Sequence, residues 1–171
     1  SMNVWDRLSS RPLLKFVLEC TLWAMLLGLA MDMVTAHVDV RYFSVHHPPI
    51  FEHPTSLNMA LYWGIAASWW FGTISALALA ALKSLFQWRW DYDRLSQLVR
   101  RSCMVLWVVF MVELVGFYLL AGAVDFKQVS DNREADRRLI AVAFTHASEY
   151  LFGGIALGWI ILRASLDKWK S

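Results

Sequence analysis

Cysteine and charged residues are both scarce in this sequence. Only Cys20 and Cys103 occur among its 171 residues, and they do not form a Cys-x-x-Cys pair. A thiol–disulfide oxidoreductase of the membrane is therefore not expected. Charged residues make up 18% of the chain and hydrophobic residues 58%, which is typical of a membrane protein rather than a soluble one. The net charge of +2 gives no reason to expect nucleic acid as a partner.

Motifs that mark several classes of membrane protein are absent as well. The chain has no Gly-x-Ser-x-Gly, no His-Glu-x-x-His and no ladder of regularly spaced arginines. Rhomboid-like proteases, voltage-sensor domains and, for want of paired cysteines, tetraspanin-like proteins are therefore not indicated. No clear small-residue cleavage site follows the first apolar run, so we expect this run to remain as an anchor.

Four long apolar segments dominate the chain, at about 13–36, 57–85, 104–124 and 139–162. Each is long enough for a helix that crosses a bilayer, since ~20 residues span ~30 Å of hydrocarbon. We therefore predict an all-α integral membrane protein with a single membrane domain over residues 1–171. Its four transmembrane helices are expected to form an up-down-up-down bundle.

The distribution of Lys and Arg predicts how the helices are oriented. The two terminal regions and the region around the loop 86–103 hold 11 of the 16 Lys and Arg residues, and the loops 37–56 and 125–138 hold the other five. Because cytoplasmic loops carry an excess of Lys and Arg, both termini are predicted to be cytoplasmic and both of the latter loops to lie outside. We expect a multi-pass protein of a bacterial inner membrane, with the lipid bilayer as its main partner.

The second apolar segment carries a small side chain at every fourth position. The ladder consists of Ala60, Gly64, Ser68, Gly72, Ala76 and Ala80. Small residues at this spacing allow two helix backbones to approach closely. The Gly64/Ser68/Gly72 face is therefore predicted to pack against another helix of the chain or against a second copy in a homo-oligomer.

The fourth apolar segment contains a histidine and a carboxylate deep in the predicted span. Counted from the start of the span, His146 lies ~10 Å deep and Glu149 ~15 Å deep, near the middle of the bilayer. The two residues are neighbours on one helix face because they are separated by three positions. Gly154 and Gly158 follow, and their spacing predicts close approach of another helix. A carboxylate at this depth costs at least ~2.5–3.5 kcal/mol, so we interpret this stretch as the functional core.

Further carboxylates occur in the other predicted spans. Glu113 lies ~16 Å from the outer end of the third span, Asp32 lies near the outer end of the first span, and Glu19 lies near its cytoplasmic end. Ionised carboxylates cannot remain unpaired there, yet no Lys or Arg lies deeper than about one turn in any span. They must be protonated, hydrogen-bonded, paired with a charged His146, or neutralised by a bound cation.

A metal site is the first hypothesis for this set of side chains. Asp32, Glu113, His146 and Glu149 are expected to converge in the outer half of the bundle. Such a ligand set suits Zn, Mn or Fe, and an open coordination position would allow metal-assisted chemistry on a lipid or small substrate. Whether the protein is an enzyme stays open at this stage.

Two alternatives remain beside a metal. The carboxylates could form a relay for protons or cations from Asp32 through Glu113 and Glu149 toward Glu19. The buried polar groups could instead fix helix register in a non-catalytic membrane subunit or scaffold. A haem is not expected, because His146 is the only deep histidine and a second ligand would have to be His37 at the interface.

The outer loop 37–56 is rich in histidine, proline and aromatic residues. Its prolines stiffen the chain and favour extended backbone. Its apolar residues, such as Phe43 and Phe51, indicate that the loop lies back on the bundle as a lid. His46, His47, Glu52 and His53 have no standard zinc spacing, so the loop itself is only a weak candidate for a metal site.

Overall fold

The computed structural model describes residues 11–45, 47–123 and 132–169, with the side chains of residues 11, 168 and 169 left out. Within these ranges the chain forms six helices and no strand. They are α1 (Arg11–Val38), α2 (Arg41–Val45), α3 (Ser56–Ala66), α4 (Trp69–Phe86), α5 (Tyr92–Ala123) and α6 (Arg133–Trp169). The all-α prediction is confirmed. His46 and the first half of the predicted loop 125–138, residues 125–131, lie outside the described residues.

Four helical segments are long and apolar enough to cross a membrane. They are Pro12–Val38, Ser56–Phe86, Tyr92–Ala123 and Arg133–Asp167, so each of the four predicted spans corresponds to a helix. This arrangement is compatible with a multi-pass membrane protein.

The helices are longer than their apolar segments, because amphipathic turns extend them. The predicted loop 86–103 is mostly helix: α5 begins at Tyr92, where the Asp91 carboxylate accepts a hydrogen bond from the Arg94 backbone N–H at 2.8 Å. The first turns of α5 bury Leu95 and Ser96 against the other helices. A hydropathy pattern misses such turns, since their other positions are polar.

The helices alternate in direction, which follows from the residues that meet at each end of the bundle. At what we call the lower end, a hydrophobic cluster contains the start of α1, the end of α4, the start of α5 and the end of α6; it includes Leu13, Leu79, Leu95 and Ile160. At the upper end, two clusters join the opposite ends of these helices with α2 and α3; they include Ala36, Phe43, Met59, Leu114 and Ala141.

The small-residue ladder packs against α1 of the same chain. A Cβ placed on Gly64 would lie 2.7 Å from Leu29 Cα, and one placed on Gly72 would lie 3.0 Å from the Cys20 carbonyl oxygen. The two backbones are therefore in contact, as the ladder predicts. Since α1 occupies this face, the ladder does not require a second copy, and a homo-oligomer through it stays a prediction.

The second span is interrupted at Ala67 and Ser68, between α3 and α4. The Ser68 hydroxyl donates a hydrogen bond to the Gly64 carbonyl oxygen one turn earlier, a contact that bends helices. Ser68 also packs against Gly28 of α1. The sequence predicted one continuous helix here.

Gly154 and Gly158 of α6 face open space. A Cβ placed on either residue would meet no atom within 4 Å, and both positions are exposed. The expectation that these glycines receive a neighbouring helix is therefore wrong within the chain.

Arg41 links α2 to the start of α6. The Arg41 guanidinium donates from Nε to both carboxylate oxygens of Asp39, at 2.9 and 3.1 Å, and donates to the Ala135 carbonyl oxygen. It also lies 3.9 Å from the buried Asp136. Hydrogen bonding to Asp39 raises the pKa of Arg41 above its usual value. The outer loop, which was predicted to be a lid, thus contains a short helix that lies over the upper end of the bundle.

Candidate functional site

His146 lies between two carboxylates inside the upper half of the bundle. Its Nε2 atom is 3.6 Å from Asp32 Oδ1 of α1, and its Nδ1 atom is 3.3 Å from Glu149 Oε2 of α6. The side chains of Asp32 and His146 are 6% and 10% exposed, and that of Glu149 is 21% exposed. Among the described residues, His146 is the ion-pair partner of both carboxylates.

Helix geometry explains how these groups meet. His146 and Glu149 are three positions apart on α6, and Asp32 and Thr35 are three positions apart on α1, so each pair shares a helix face. Thr35 Oγ1 lies 3.1 Å from His146 Nε2. Thus α1 presents a carboxylate and a hydroxyl to one ring nitrogen, while α6 presents a carboxylate to the other.

The hydrogen bonds of Thr35 constrain the protons of the site. The Thr35 hydroxyl donates to the Met31 carbonyl oxygen at 3.1 Å, which leaves its oxygen free to accept from a protonated Nε2 of His146. Nδ1 lies 3.3 Å from Glu149 Oε2, so one further proton can be held between His146 and Glu149.

Aromatic rings cover the histidine from above. The ring of Tyr42 stacks on that of His146 with centroids 4.6 Å apart, and Phe43 meets it edge-on at 5.4 Å. The next layer pairs His47 with Trp63 at 4.6 Å. Burial, together with the neighbouring acidic groups, raises the pKa of Tyr42 to about 12. A neutral phenol therefore covers the site at any physiological pH.

A long cavity descends from this site between α1, α4, α5 and α6. Its upper part is lined by Asp32, Tyr42, Trp63, His146 and Glu149. Its lower part is lined mainly by apolar residues that reach the lower cluster, such as Leu79, Leu157 and Ile160. Among its lining residues Asp32 and Glu149 are the carboxylates, and neither lysine nor arginine occurs. The site therefore opens into a space between the helices that has an acidic upper end.

Glu113 lies on α5 and contacts α6 at Ser148, and neither residue lines the cavity. Its carboxylate accepts a hydrogen bond from the Ser148 hydroxyl at 2.9 Å, and Glu113 is not among the cavity-lining residues. The structure thus brings together three of the four predicted site residues, Asp32, His146 and Glu149, and places Glu113 behind them. Glu19 lies at the lower end, where Ser96 and Lys15 contact it.

This arrangement does not supply a full ligand set for the predicted metal centre. Among the described residues no group of three or more His, Cys, Asp or Glu side chains is arranged to hold a metal ion. The physical reason is that Asp32 and Glu149 face different nitrogens of one imidazole, so a single ion cannot bind that ring and both carboxylates closely. Binding of Zn, Mn or Fe stays a prediction.

Sequence reasoning missed Thr35, Tyr42 and Trp63. For Thr35 a signal existed, because it follows Asp32 by three positions and so shares its helix face. No local pattern links Tyr42 or Trp63 to His146, since α2 reaches the site only after the chain has turned back over the bundle.

Comparisons with protein-family models, with curated proteins and with solved structures gave no match to this chain. Functional conclusions therefore depend on the residues themselves. The arrangement they form is a buried histidine with a carboxylate at each ring nitrogen, above an apolar cavity.

Proposed function

We propose that this is an integral membrane protein, with both termini in the cytoplasm, that binds and transfers protons at Asp32, His146 and Glu149. The observation that carries the proposal is the position of His146, with one carboxylate at 3.6 Å from Nε2 and another at 3.3 Å from Nδ1. Histidine is the side chain whose charge changes most readily near neutral pH, and intramembrane acidic residues commonly serve as proton relays.

The charge of the site supports proton uptake. With both carboxylates ionised and the imidazole protonated, the site would carry a net charge of minus one, and no lysine or arginine lines the cavity to balance it. An uncompensated charge is costly in a poorly solvated interior. The site therefore favours a further positive charge, and a proton is the smallest that can supply it.

The ring of His146 is suited to pass a proton between helices. Its two nitrogens face α1 and α6 respectively, so a proton taken up on one side can be released on the other after the ring changes tautomer. The cavity below leads from the site toward the lower end of the bundle and would conduct a proton only when it holds water, while α2 covers the upper side.

A metal ion is the second candidate because of the contact between Glu149 and Nδ1. A metal-binding histidine usually has a carboxylate or carbonyl partner on its other ring nitrogen. In this arrangement Nε2 and Asp32 would be the ligands and Glu149 the orienting partner. Two protein ligands are fewer than the three or four of most zinc sites, which is why we prefer the proton.

The decisive experiment measures proton flux in liposomes that contain the purified protein and a trapped pH-sensitive dye. Asp32→Asn, His146→Gln and Glu149→Gln should each lose most of the flux driven by an imposed pH gradient. Glu113→Gln and Glu52→Gln are matched controls, since neither residue lines the cavity, and they should retain it. Equal flux in all five variants and the unmodified protein would exclude the relay.

Metal content is measured on the same preparations by elemental analysis. The proton proposal expects no stoichiometric metal and no change among the variants. One Zn, Mn or Fe per chain that disappears in His146→Gln would replace it with the metal-site hypothesis.

A further inference from the structure

We infer that the cavity is a binding site for a single-tailed amphiphilic cation, namely a long-chain amine or quaternary ammonium compound. Its head would lie beside Asp32 and Glu149, and its tail would extend toward the lower end. This inference rests on the proposed function, because it assigns a cargo to the same site.

The upper end of the cavity has the chemistry that a cationic head requires. Both carboxylates that line the cavity are there, and neither has a lysine or arginine partner among the described residues. Aromatic rings surround the same space, since Tyr42, Trp63 and Tyr150 also line it. The faces of such rings attract ammonium groups.

A free indole donor provides a further polar contact. The Nε1 atom of Trp63 is buried, and within the described part of the chain it has no hydrogen-bond partner. Buried polar atoms are nearly always paired. A polar oxygen of a bound ligand would satisfy this donor.

The lower part of the cavity has the shape that an alkyl tail requires. The cavity is lined by α1 residues from Asp32 to Cys20, which are twelve positions apart and hence ~18 Å along a helix. One leaflet of a bilayer is ~15 Å of hydrocarbon, half of the ~30 Å core. Small residues such as Ala24, Ala76 and Ala156 line the cavity and keep it open over this length. A lipid-sized tail therefore matches it.

Binding of such a cation is coupled to protons because both neutralise the same charge. The titratable groups that face His146 are Asp32 from α1, Tyr42 from α2, and Glu149 and Tyr150 from α6, with His47 beside the aromatic cover. A cation beside the carboxylates should displace a proton bound among Asp32, His146 and Glu149. By linkage, lowering the pH through the protonation of the site should weaken binding by about tenfold per unit.

The test uses dodecyltrimethylammonium, kept below its micelle-forming concentration, with the full chain in a neutral detergent. Titration calorimetry should show saturable binding, and a weakly buffered sample should release about one proton per bound cation. Asp32→Asn and Glu149→Gln should each weaken binding by about tenfold or more. Tetramethylammonium, which lacks the tail, and dodecyl maltoside, which lacks the charge, should not compete.

A pair of α6 variants tests the tail channel. Ala156→Leu adds volume inside the cavity, whereas Gly154→Leu adds it at an exposed position with open space around it. Only the first should abolish binding, provided that thermal unfolding shows both variants to be folded. Equal binding in both variants would contradict the assignment of the tail to this cavity.

The binding and flux experiments give different results if this inference is wrong and if the proposed function is wrong. If the cation does not bind, or binds without proton release and equally well to Asp32→Asn, the cargo is wrong. Proton flux that still depends on Asp32, His146 and Glu149 would then leave the relay intact. If the cation binds with proton release but the liposomes show no flux, the site is a receptor for the cation rather than a proton path.

Discussion

The imidazole of His146 and the phenol ring of Tyr42 lie face to face, with their centroids 4.6 Å apart and their planes inclined by 9°. Tyr42 belongs to the short helix α2, whose Arg41 donates to Asp39 after the end of α1 and to the Ala135 carbonyl oxygen at the start of α6. The stacked pair therefore connects the cover of the bundle directly to the buried charges. Changes at either residue should be detectable at the other.

Replacement of His146 by Leu should destabilise the protein, because it leaves Asp32 and Glu149 buried without a positive partner. Removing one member of a buried ion pair typically costs ~3–5 kcal/mol. The free energy of unfolding can be measured by reversible unfolding in mixed micelles of neutral detergent and dodecyl sulfate. Adding Asp32→Asn and Glu149→Gln to the same chain should recover part of the loss. A triple variant less stable than His146→Leu alone would show that the carboxylates are held by other groups.

Replacement of Gly64 by Ala should destabilise the packing of α3 on α1. The added Cβ would lie 2.7 Å from Leu29 Cα, and overpacking of this kind typically costs ~1–3 kcal/mol. Gly116→Ala is the matched control, because its Cβ would meet nothing within 4 Å. The control should be neutral or slightly stabilising, since alanine favours helix over glycine by ~1 kcal/mol. Thermal unfolding compares the two, and equal melting temperatures would contradict the close approach.

Tyr42 should lose its proton at a higher pH than an ordinary tyrosine. Burial raises its pKa from 10.0 to about 12, so between these values the unfolded chain loses a proton that the folded protein keeps. Stability contributed by Tyr42 is therefore complete below pH 10 and is lost as the pH rises toward 12. Alkaline titration of tyrosinate absorbance, with Tyr42→Phe subtracted, should isolate this late step. A difference curve centred near pH 10 would show that the phenol is solvated.

The proposed orientation is tested by labelling single cysteines in intact cells with a membrane-impermeant maleimide. After Cys20 and Cys103 are replaced by Ala, a cysteine at Ile50 should react from outside, because Ile50 is 41% exposed in the loop at the upper end. A cysteine at the exposed Arg89 of the lower end should react only after the cells are broken. The opposite pattern would reverse the orientation.

The predictable parts of the site are those that helix periodicity determines. The contact between His146 and Glu149 follows from three positions on one helix, and the choice of Asp32 follows from its depth in an apolar segment. Glu113 satisfied the same depth criterion, yet it contacts Ser148 rather than Glu149. Depth fixes the position of a residue along a helix axis. Rotation about that axis is set by packing between helices, which a single sequence does not show.

The helix boundaries illustrate a related limit. The apolar runs correctly located the four spans. However, α5 begins earlier than its apolar run, at Tyr92, because Leu95 is buried among residues of three other helices. The interruption at Ser68 likewise depends on the neighbouring Gly28. Both features are tertiary, so they override the local pattern from which the spans were predicted.

The close contact between Gly64 and α1 also bears on the order in which the protein is assembled. In the proposed membrane protein, α1, α3 and α4 would be synthesised before α6, and in the full chain their backbones are in contact at glycines. Asp32 would lack its partner until the last helix is made, because His146 lies on α6. A chain that stops before α6 is therefore expected to keep the contact between these helices but to leave Asp32 without a partner.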